Sequence, residues 1–409
     1  MRRVVVTGMG VFASAGKNAD EFFANLAAGR SAIRRIQQFD PSQLSVQIGA
    51  EIPDYDPLAY FPPKRLDLVD RFSQFALLAA KEAVGCSGIQ LRDEERPRFG
   101  VVTGTGMGGT YTFESGCQKL FAENATRLHP FTIPKIMHNA ATSQLCMEFG
   151  AQGPAMTTAT ACSSAGHAIG TAFHLIKSGM ADMMLTGGTE APLTYAMIRS
   201  WESVRVLAPG NGDPSRACRP FSADREGFVM GEGAAIFLLE ELEHARGRGA
   251  RIHAEIAGFG MSSDANHITQ PSVEGPARAV RMALAEAQVN PEQVDYINAH
   301  GTGTRVNDVT ETQVIKEVFG PHARKVAISS TKSMHGHAMG ATSALELAAT
   351  IQAIDQGVIP PTANYTQPDP ECDLDYVPNE AREASVRVAI SNSFAFGGLN
   401  AVLLVRRME

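Results

Sequence analysis

One feature constrains this chain more than any other: a stretch of its sequence is written twice. An Ala-rich helical segment, FALLAAKEAV (Phe75 to Val84), leads into RFGVVTGTG, and a second, ARAVRMALAEAQV, leads into DYINAHGTGT, with the second strand-like run 196–197 residues after the first. The opening RRVVVTGMG is echoed by RIHAEIAGFG 249 residues on, so the two copies carry unequal insertions. Between these echoes, short β-branched runs alternate with Ala-rich stretches: Val4–Thr7 then Asp20–Ala28, Gln74–Val84 then Phe99–Thr103, Ser164–Lys177 then Met183–Thr186. That alternation predicts an α/β layered fold. The duplication predicts two halves, 1–250 and 251–409, meeting at the charged, Gly-containing HARGRGAR.

Charge and cysteine content exclude several classes of function. With 43 acidic and 36 basic side chains the formal net charge is −7, and there are no long single-sign runs. A general nucleic-acid or anionic-membrane surface is therefore not expected, and an acidic partner would need a local basic patch. The 6 cysteines form no C-x-x-C pair, which reads as a reduced compartment. MRRVVVTGMG has too short an apolar run for a signal peptide, and no segment approaches the ~20 apolar residues that cross a bilayer. The expectation is a soluble, cytoplasmic protein.

Chemistry concentrates in four glycine- or serine-rich turns. In MTTATACSS a β-like run ends at Cys162, and small or apolar residues at 165, 169, 172, 173 and 176 then follow a helical period. A cysteine at a helix N-terminus meets the positive end of the helix dipole and free backbone N–H groups, which lower a thiol pKa and hold an oxyanion. A buried, inert cysteine would carry the same spacing. NAHGTGT places His300 at a strand end, and SSTKSMHGH crowds Lys332, His335 and His337 into one turn before the helical ATSALELAATIQAI. NSFAFGGLN sets paired glycines beside phenylalanines, which suits either a backbone N–H donor or a movable gate. Two alternatives fail on spacing. The G-x-G-x-x-G at Gly104–Gly109 lacks a strand-end acid after it, and an i, i+2 pair of His335 and His337 with Cys162 lacks metal-ligand spacing, so neither a dinucleotide nor a metal is expected.

Together TACSS, NAHGTGT, TKSMHGH and NSFAFGG closely resemble the elongating β-ketoacyl-acyl carrier protein synthases of the KAS II type, over essentially the whole chain from Val4 to Val405. The resemblance implies the thiolase fold, two βαβαβαββ halves in five layers, and a dimer, usually a homodimer. It implies that Cys162 is the acyl-accepting nucleophile and that His300 and His337 are the catalytic histidines. Lys332, with Glu346, would order the charges around them, and Asp308 matches the acid after HGTxT. Backbone N–H groups of Cys162 and Phe396 would form the oxyanion hole, Phe396 doubling as gate. Thr302 and Thr304 would touch the pantetheine arm, while Met107 and Trp201 would shape the acyl pocket. No cofactor is implied beyond the phosphopantetheine of an acyl carrier protein. That acidic partner would dock on basic residues, with Lys64, Arg65, Arg127 and Arg205 as candidates.

The chain departs from the family pattern in carrying His335 where Thr is usual, Ala395 for Gly, Leu399 for Thr and Trp201 for Phe. With PPTANYTQPDPECDLDYVPN, His335 is more similar to a specialised branch that includes the nodulation-factor synthases, which build unusual acyl chains. Two other readings compete. A non-condensing subunit akin to a chain-length factor would form a heterodimer but would lack the nucleophile. A degradative thiolase would be expected to carry a second cysteine in place of one of the histidines.

Overall fold

In the computed structural model, which describes residues 2–210 and 212–408, ten strands hydrogen-bond into one mixed sheet. They are β1 (Val4–Ala13), β2 (Phe99–Gly104), β3 (Ala155–Thr158), β4 (Met183–Glu190), β5 (Gly233–Glu241), β6 (Ala254–Ser263), β7 (Tyr296–Asn298), β8 (Ala327–Ser329), β9 (Val388–Ala395) and β10 (Leu399–Arg406). Their spatial order is β3-β2-β4-β5-β1-β6-β10-β9-β7-β8. Counted outward from the β1–β6 junction, both halves run first, fifth, fourth, second, third, so the duplication expected from sequence is the topology itself. The halves are joined by a short antiparallel ladder that pairs Val4 with Ile256, Val5 with Glu255 and Val6 with Ala254.

Six helices define the layers: α1 (Ala19–Ala27), α2 (Arg71–Ser87), α3 (Ser164–Lys177), α4 (Glu274–Ala287), α5 (Arg305–Phe319) and α6 (Thr342–Gln356). Helices α3 and α6 touch each other and also strands of both halves, so the sheet folds over them as a central layer. α2 lies on the outer face of the first half, and α4 with α5 covers the second. The result is the expected five-layer α/β arrangement. A helix enclosed between two sheet faces needs no polar stripe, and every residue of α6 from Thr342 to Ile354 is buried. Strands covered on both faces are buried along their whole length, as β1 and β4 are. Among the described residues no helix is long and apolar enough to cross a membrane.

The G-x-G echo has a packing cause. A Cβ added at Gly10 would lie 2.0 Å from the Ala79 carbonyl oxygen, and one at Gly260 would lie 1.8 Å from that of Ala279. In each half the outer helix is pressed backbone to backbone against its strand, which only glycine allows. Gly260→Ala is therefore expected to destabilise the protein by about 1–3 kcal/mol through forced separation of α4 from β6. Gly247→Ala, whose added Cβ meets nothing within 4 Å, should be near neutral. Urea midpoints of the two variants check this.

Candidate active site

Strand β3 ends at Thr158, four residues earlier than the sequence pattern suggests, and a tight turn over Ala161–Ser163 delivers the chain into α3. Ala161 holds φ at +51°, a left-handed conformation that costs a residue with a side chain about 1–3 kcal/mol. The Ser163 and Ser164 hydroxyls brace the turn by donating to the Thr160 and Ala161 carbonyls at 2.8 and 2.7 Å. Cys162, only 8% exposed, is thereby set at the head of α3. Burial pushes its thiol up to about 11. The Lys332 charge and the backbone N–H groups of Phe396 and of Cys162 itself, both directed at the sulfur, oppose that shift.

His337 stands before α6 as Cys162 stands before α3, so the duplicated topology brings its two helix heads together. Its Nε2 lies 3.1 Å from Cys162 Sγ. The other nitrogen, Nδ1, receives the Met339 N–H at 3.1 Å and the Thr342 hydroxyl at 2.8 Å. An amide can only donate, so Nδ1 is an acceptor and the ring hydrogen sits on Nε2, facing the sulfur.

His300 follows β7, with its ring 5.7 Å from that of His337 and nearly perpendicular to it, at 86°. Lys332, fully buried after β8, reaches across with its ammonium. Nζ donates to the His300 carbonyl at 2.5 Å, lies 3.4 Å from His300 Nδ1 and pairs with Glu346 of α6. His300 Nδ1 thus also faces a donor, which assigns the hydrogen to Nε2. Burial, then the Lys332 charge, hold both imidazoles well below the ordinary histidine pKa, so both are neutral. For Glu346 burial drives the carboxyl up while the ammonium draws it down.

Two carboxylates that sequence reasoning missed anchor this frame. Glu311 accepts the N–H groups of His300 and Gly301 at 2.8 and 2.7 Å. Burial pushes Glu311 up to about 6. Glu190, at the end of β4, gathers the amides of Gly106, Met107 and Gly340 and the Thr105 hydroxyl, joining the first glycine loop to the turn after His337. Asp308, already expected, accepts from Phe221 and Gly303 at 2.8 and 3.2 Å and shapes the same His300 turn. Glu311 lies three residues after Asp308 on α5, and that i, i+3 spacing was its one signal in the sequence.

A cavity of about 470 Å³ opens onto Cys162, His300 and His337. Thr302 and Thr304 line it, their hydroxyls 2.8 Å apart, as do Trp201 and Phe396, whose rings lie 5.9 Å apart. Met107 does not line it; its amide is held by Glu190 instead. His335 does not join the site. Its ring turns toward Phe22 of α1 and its Nε2 meets the Thr331 hydroxyl at 3.0 Å. Of the basic candidates only Arg205 reaches the cavity mouth, together with Arg305, which the sequence did not single out. Lys64 and Arg127 are exposed elsewhere, and Arg65 pairs with Glu148. Ligand atoms of Cys162, His300 and His337 lie within 4.8 Å of one another, the clustering of a metal site. With both Nδ1 atoms facing donors, however, the imidazoles carry N–H rather than lone pairs at Nε2.

The comparisons with known proteins agree with this geometry. Residues 1–245 match the β-ketoacyl synthase N-terminal domain, and residues 253–366 match the β-ketoacyl synthase C-terminal domain. The chain belongs to the β-ketoacyl synthase family. It is 48% identical over 410 residues, covering all of both chains, to Nodulation protein E of Rhizobium sp. (strain N33). It is 43% identical, over 100% of this chain and 99% of the relative, to 3-oxoacyl-(acyl-carrier-protein) synthase 2 of Synechocystis sp.. The solved ishigamide ketosynthase/chain length factor superposes with a TM-score of 0.93 at 39% identity, all of both chains being covered. The five-layer architecture is thus the thiolase fold of the ketosynthases.

A buried thiol whose pKa is raised leaves little thiolate at neutral pH. Alkylation of Cys162 by iodoacetamide, followed by peptide mass spectrometry, is expected to accelerate about tenfold per pH unit from pH 7 to 9. A plateau below pH 8 would show a low-pKa thiolate instead.

Proposed function

We propose that the chain is an elongating β-ketoacyl-acyl carrier protein synthase. It would condense an acyl group held on Cys162 with malonyl-acyl carrier protein, in fatty acid or specialised acyl-chain synthesis. The observation that carries this reading is the His337 Nε2–Cys162 Sγ contact of 3.1 Å with the neutral His300 ring beside it. One nucleophile and two N–H donors thus face one cavity.

In the first step the Cys162 sulfur attacks the thioester carbonyl of an acyl carrier protein. The tetrahedral oxyanion is held by the Cys162 and Phe396 amides, and the Cys162 proton leaves on the pantetheine thiol. The phosphopantetheine arm belongs to the incoming carrier and reaches Cys162 past Thr302 and Thr304, so the enzyme needs no cofactor of its own. In the second step malonyl carrier protein loses CO₂. The enolate oxygen is held by Nε2–H of His300 and His337, which stay neutral because burial, and after it the Lys332 charge, suppress their protonation. The enolate carbon attacks the acyl-Cys162 carbonyl and the same two amides hold the second oxyanion. Collapse releases a β-ketoacyl carrier two carbons longer, and one solvent proton restores the thiol. Lys332 and Glu346 position His300, and Asp308 and Glu311 shape its turn. Trp201 packs against the Phe396 gate and bounds the pocket, and Met107 acts through the Glu190 loop.

A non-condensing subunit would have no use for this set, so Cys162 with both histidines favours the enzyme. Its partners are an acyl carrier protein, met at Arg205 with the other basic candidates Lys64, Arg65 and Arg127 contributing away from the mouth, and a second subunit. β3 lies at the edge of the sheet; Met156 on it and Met147 on the helix packed against it are exposed, as are Phe113, Phe121 (81%) and Ile133 on the helices that precede them in the chain. An unpaired edge beside such a patch is what a second copy, or a related subunit, would cover. The site of action is the cytoplasm.

Purified protein incubated with a panel of acyl carriers plus malonyl carrier should gain an acyl mass at Cys162 and release a β-ketoacyl carrier. Cys162→Gln should abolish both, and undiminished elongation by that variant would refute the assignment. His300→Ala and His337→Ala should each lower labelled CO₂ release from malonyl carrier by about 10²–10³.

A further inference from the structure

A second cavity, of about 250 Å³, opens behind the turn that carries Lys332 and His337. Its wall combines the hairpin after β1, the head of α1 and the segment that follows α1. Lys17, Arg30 and Arg34 all line it, with Ser31 and Asn25 between them. Most arginines of this protein are paired with carboxylates, yet among the described residues none of these three cations has such a partner. Arg30 rests on the Asn25 amide oxygen at 3.3 Å, and Arg34 spends Nη2 on the Glu51 carbonyl at 3.1 Å. Arg34 Nε is buried with no hydrogen-bond partner. A buried guanidinium N–H without an acceptor is costly. One acid, Glu21, also lines the space, but its carboxylate is occupied in capping α1, where it accepts the Lys17 N–H at 2.9 Å.

This cavity also touches the catalytic frame. The Ala32 N–H donates to the Met334 carbonyl at 2.8 Å and the Ser14 hydroxyl reaches the His335 carbonyl at 3.4 Å, and both Ala32 and Ser14 are wall residues. His335, on the Lys332 turn, lies with its ring against Phe22 of α1. Helix α1, the 14–34 segment and the 332–337 turn are thus one packed unit.

We propose that this cavity is a binding site for a phosphate group, distinct from the substrate cavity, held by Lys17, Arg30 and Arg34. Three cations without a carboxylate partner around one open cavity match the several oxygens of a phosphate better than a single carboxylate. The phosphate is either free or the end of a larger phosphomonoester.

The full-length protein is titrated calorimetrically with inorganic phosphate and, separately, with adenosine 5′-monophosphate, at ionic strength held constant with sodium chloride. The comparison is between the native chain and Lys17→Ala/Arg30→Ala, whose side chains lie near or at the surface. Binding of either ligand that weakens about tenfold or more in the variant supports the site. Saturable binding of phosphate itself identifies the free ion as sufficient, while binding of the nucleotide alone identifies a phosphomonoester as the required form. No saturable binding of either ligand, or equal affinity in native and variant chains, would overturn the proposal. Alkylation of Cys162 and acyl transfer measured on the same variant keep this outcome separate from the condensing function, which the double substitution should leave intact.

Discussion

The Lys332 ammonium is wholly buried, and a charge in that position persists only with partners close by. It finds them in Glu346 from the central helix and in the carbonyl and Nδ1 of His300. Three separate pieces of chain, the turns after β7 and β8 and helix α6, are thereby fixed relative to one another. The same ammonium sets the chemistry. It makes His300 Nδ1 an acceptor, adds to the burial that keeps both imidazoles neutral, and draws the Cys162 thiol back from the full effect of burial. The relative positions of the His300 turn, the Lys332 turn and helix α6 follow from that one buried pair.

The duplicated scaffold explains why these groups meet. Cys162 and His337 occupy equivalent places in the two halves, each between a parallel strand and a central helix, and the central helices pack head to head between the folded sheet faces. Glycines at equivalent positions of β1 and β6 let α2 and α4 press against their strands, so each half is thin enough for the five layers to close. Glu190 and Glu311 then act as staples. Each takes several backbone N–H groups in places where water cannot reach, holding the loops that surround the cavity.

Much of this was legible in the sequence, because strand ends in an α/β fold collect functional groups and the motifs themselves follow strand-like runs. Cys162, His300, Lys332 and His337 are brought together as their turns suggested, and the repeat is visible in the strand order. What was not legible depends on conformation and burial. The left-handed twist at Ala161 separates β3 from Cys162 by a turn that no side chain announces. His335 shares a turn with His337 but points to the opposite side, and the sequence gives no sign of which way a side chain in a four-residue helical turn will face. Glu190 and Glu311 look like ordinary acids until the backbone amides they collect are seen. Of the four basic residues expected to dock a carrier, Arg205 alone meets the cavity mouth, since loop geometry rather than proximity in sequence decides what surrounds an opening.

The proposed condensation depends on two neutral imidazoles that each present Nε2–H to the cavity. The direct test is ¹⁵N NMR of the histidine-labelled protein at pH 7, with His300 and His337 assigned by comparison with the His300→Ala and His337→Ala chains. Two neutral Nε2–H tautomers, unchanged down to pH 6, are the predicted result. An imidazolium at either position, or a hydrogen resting on Nδ1, would contradict it.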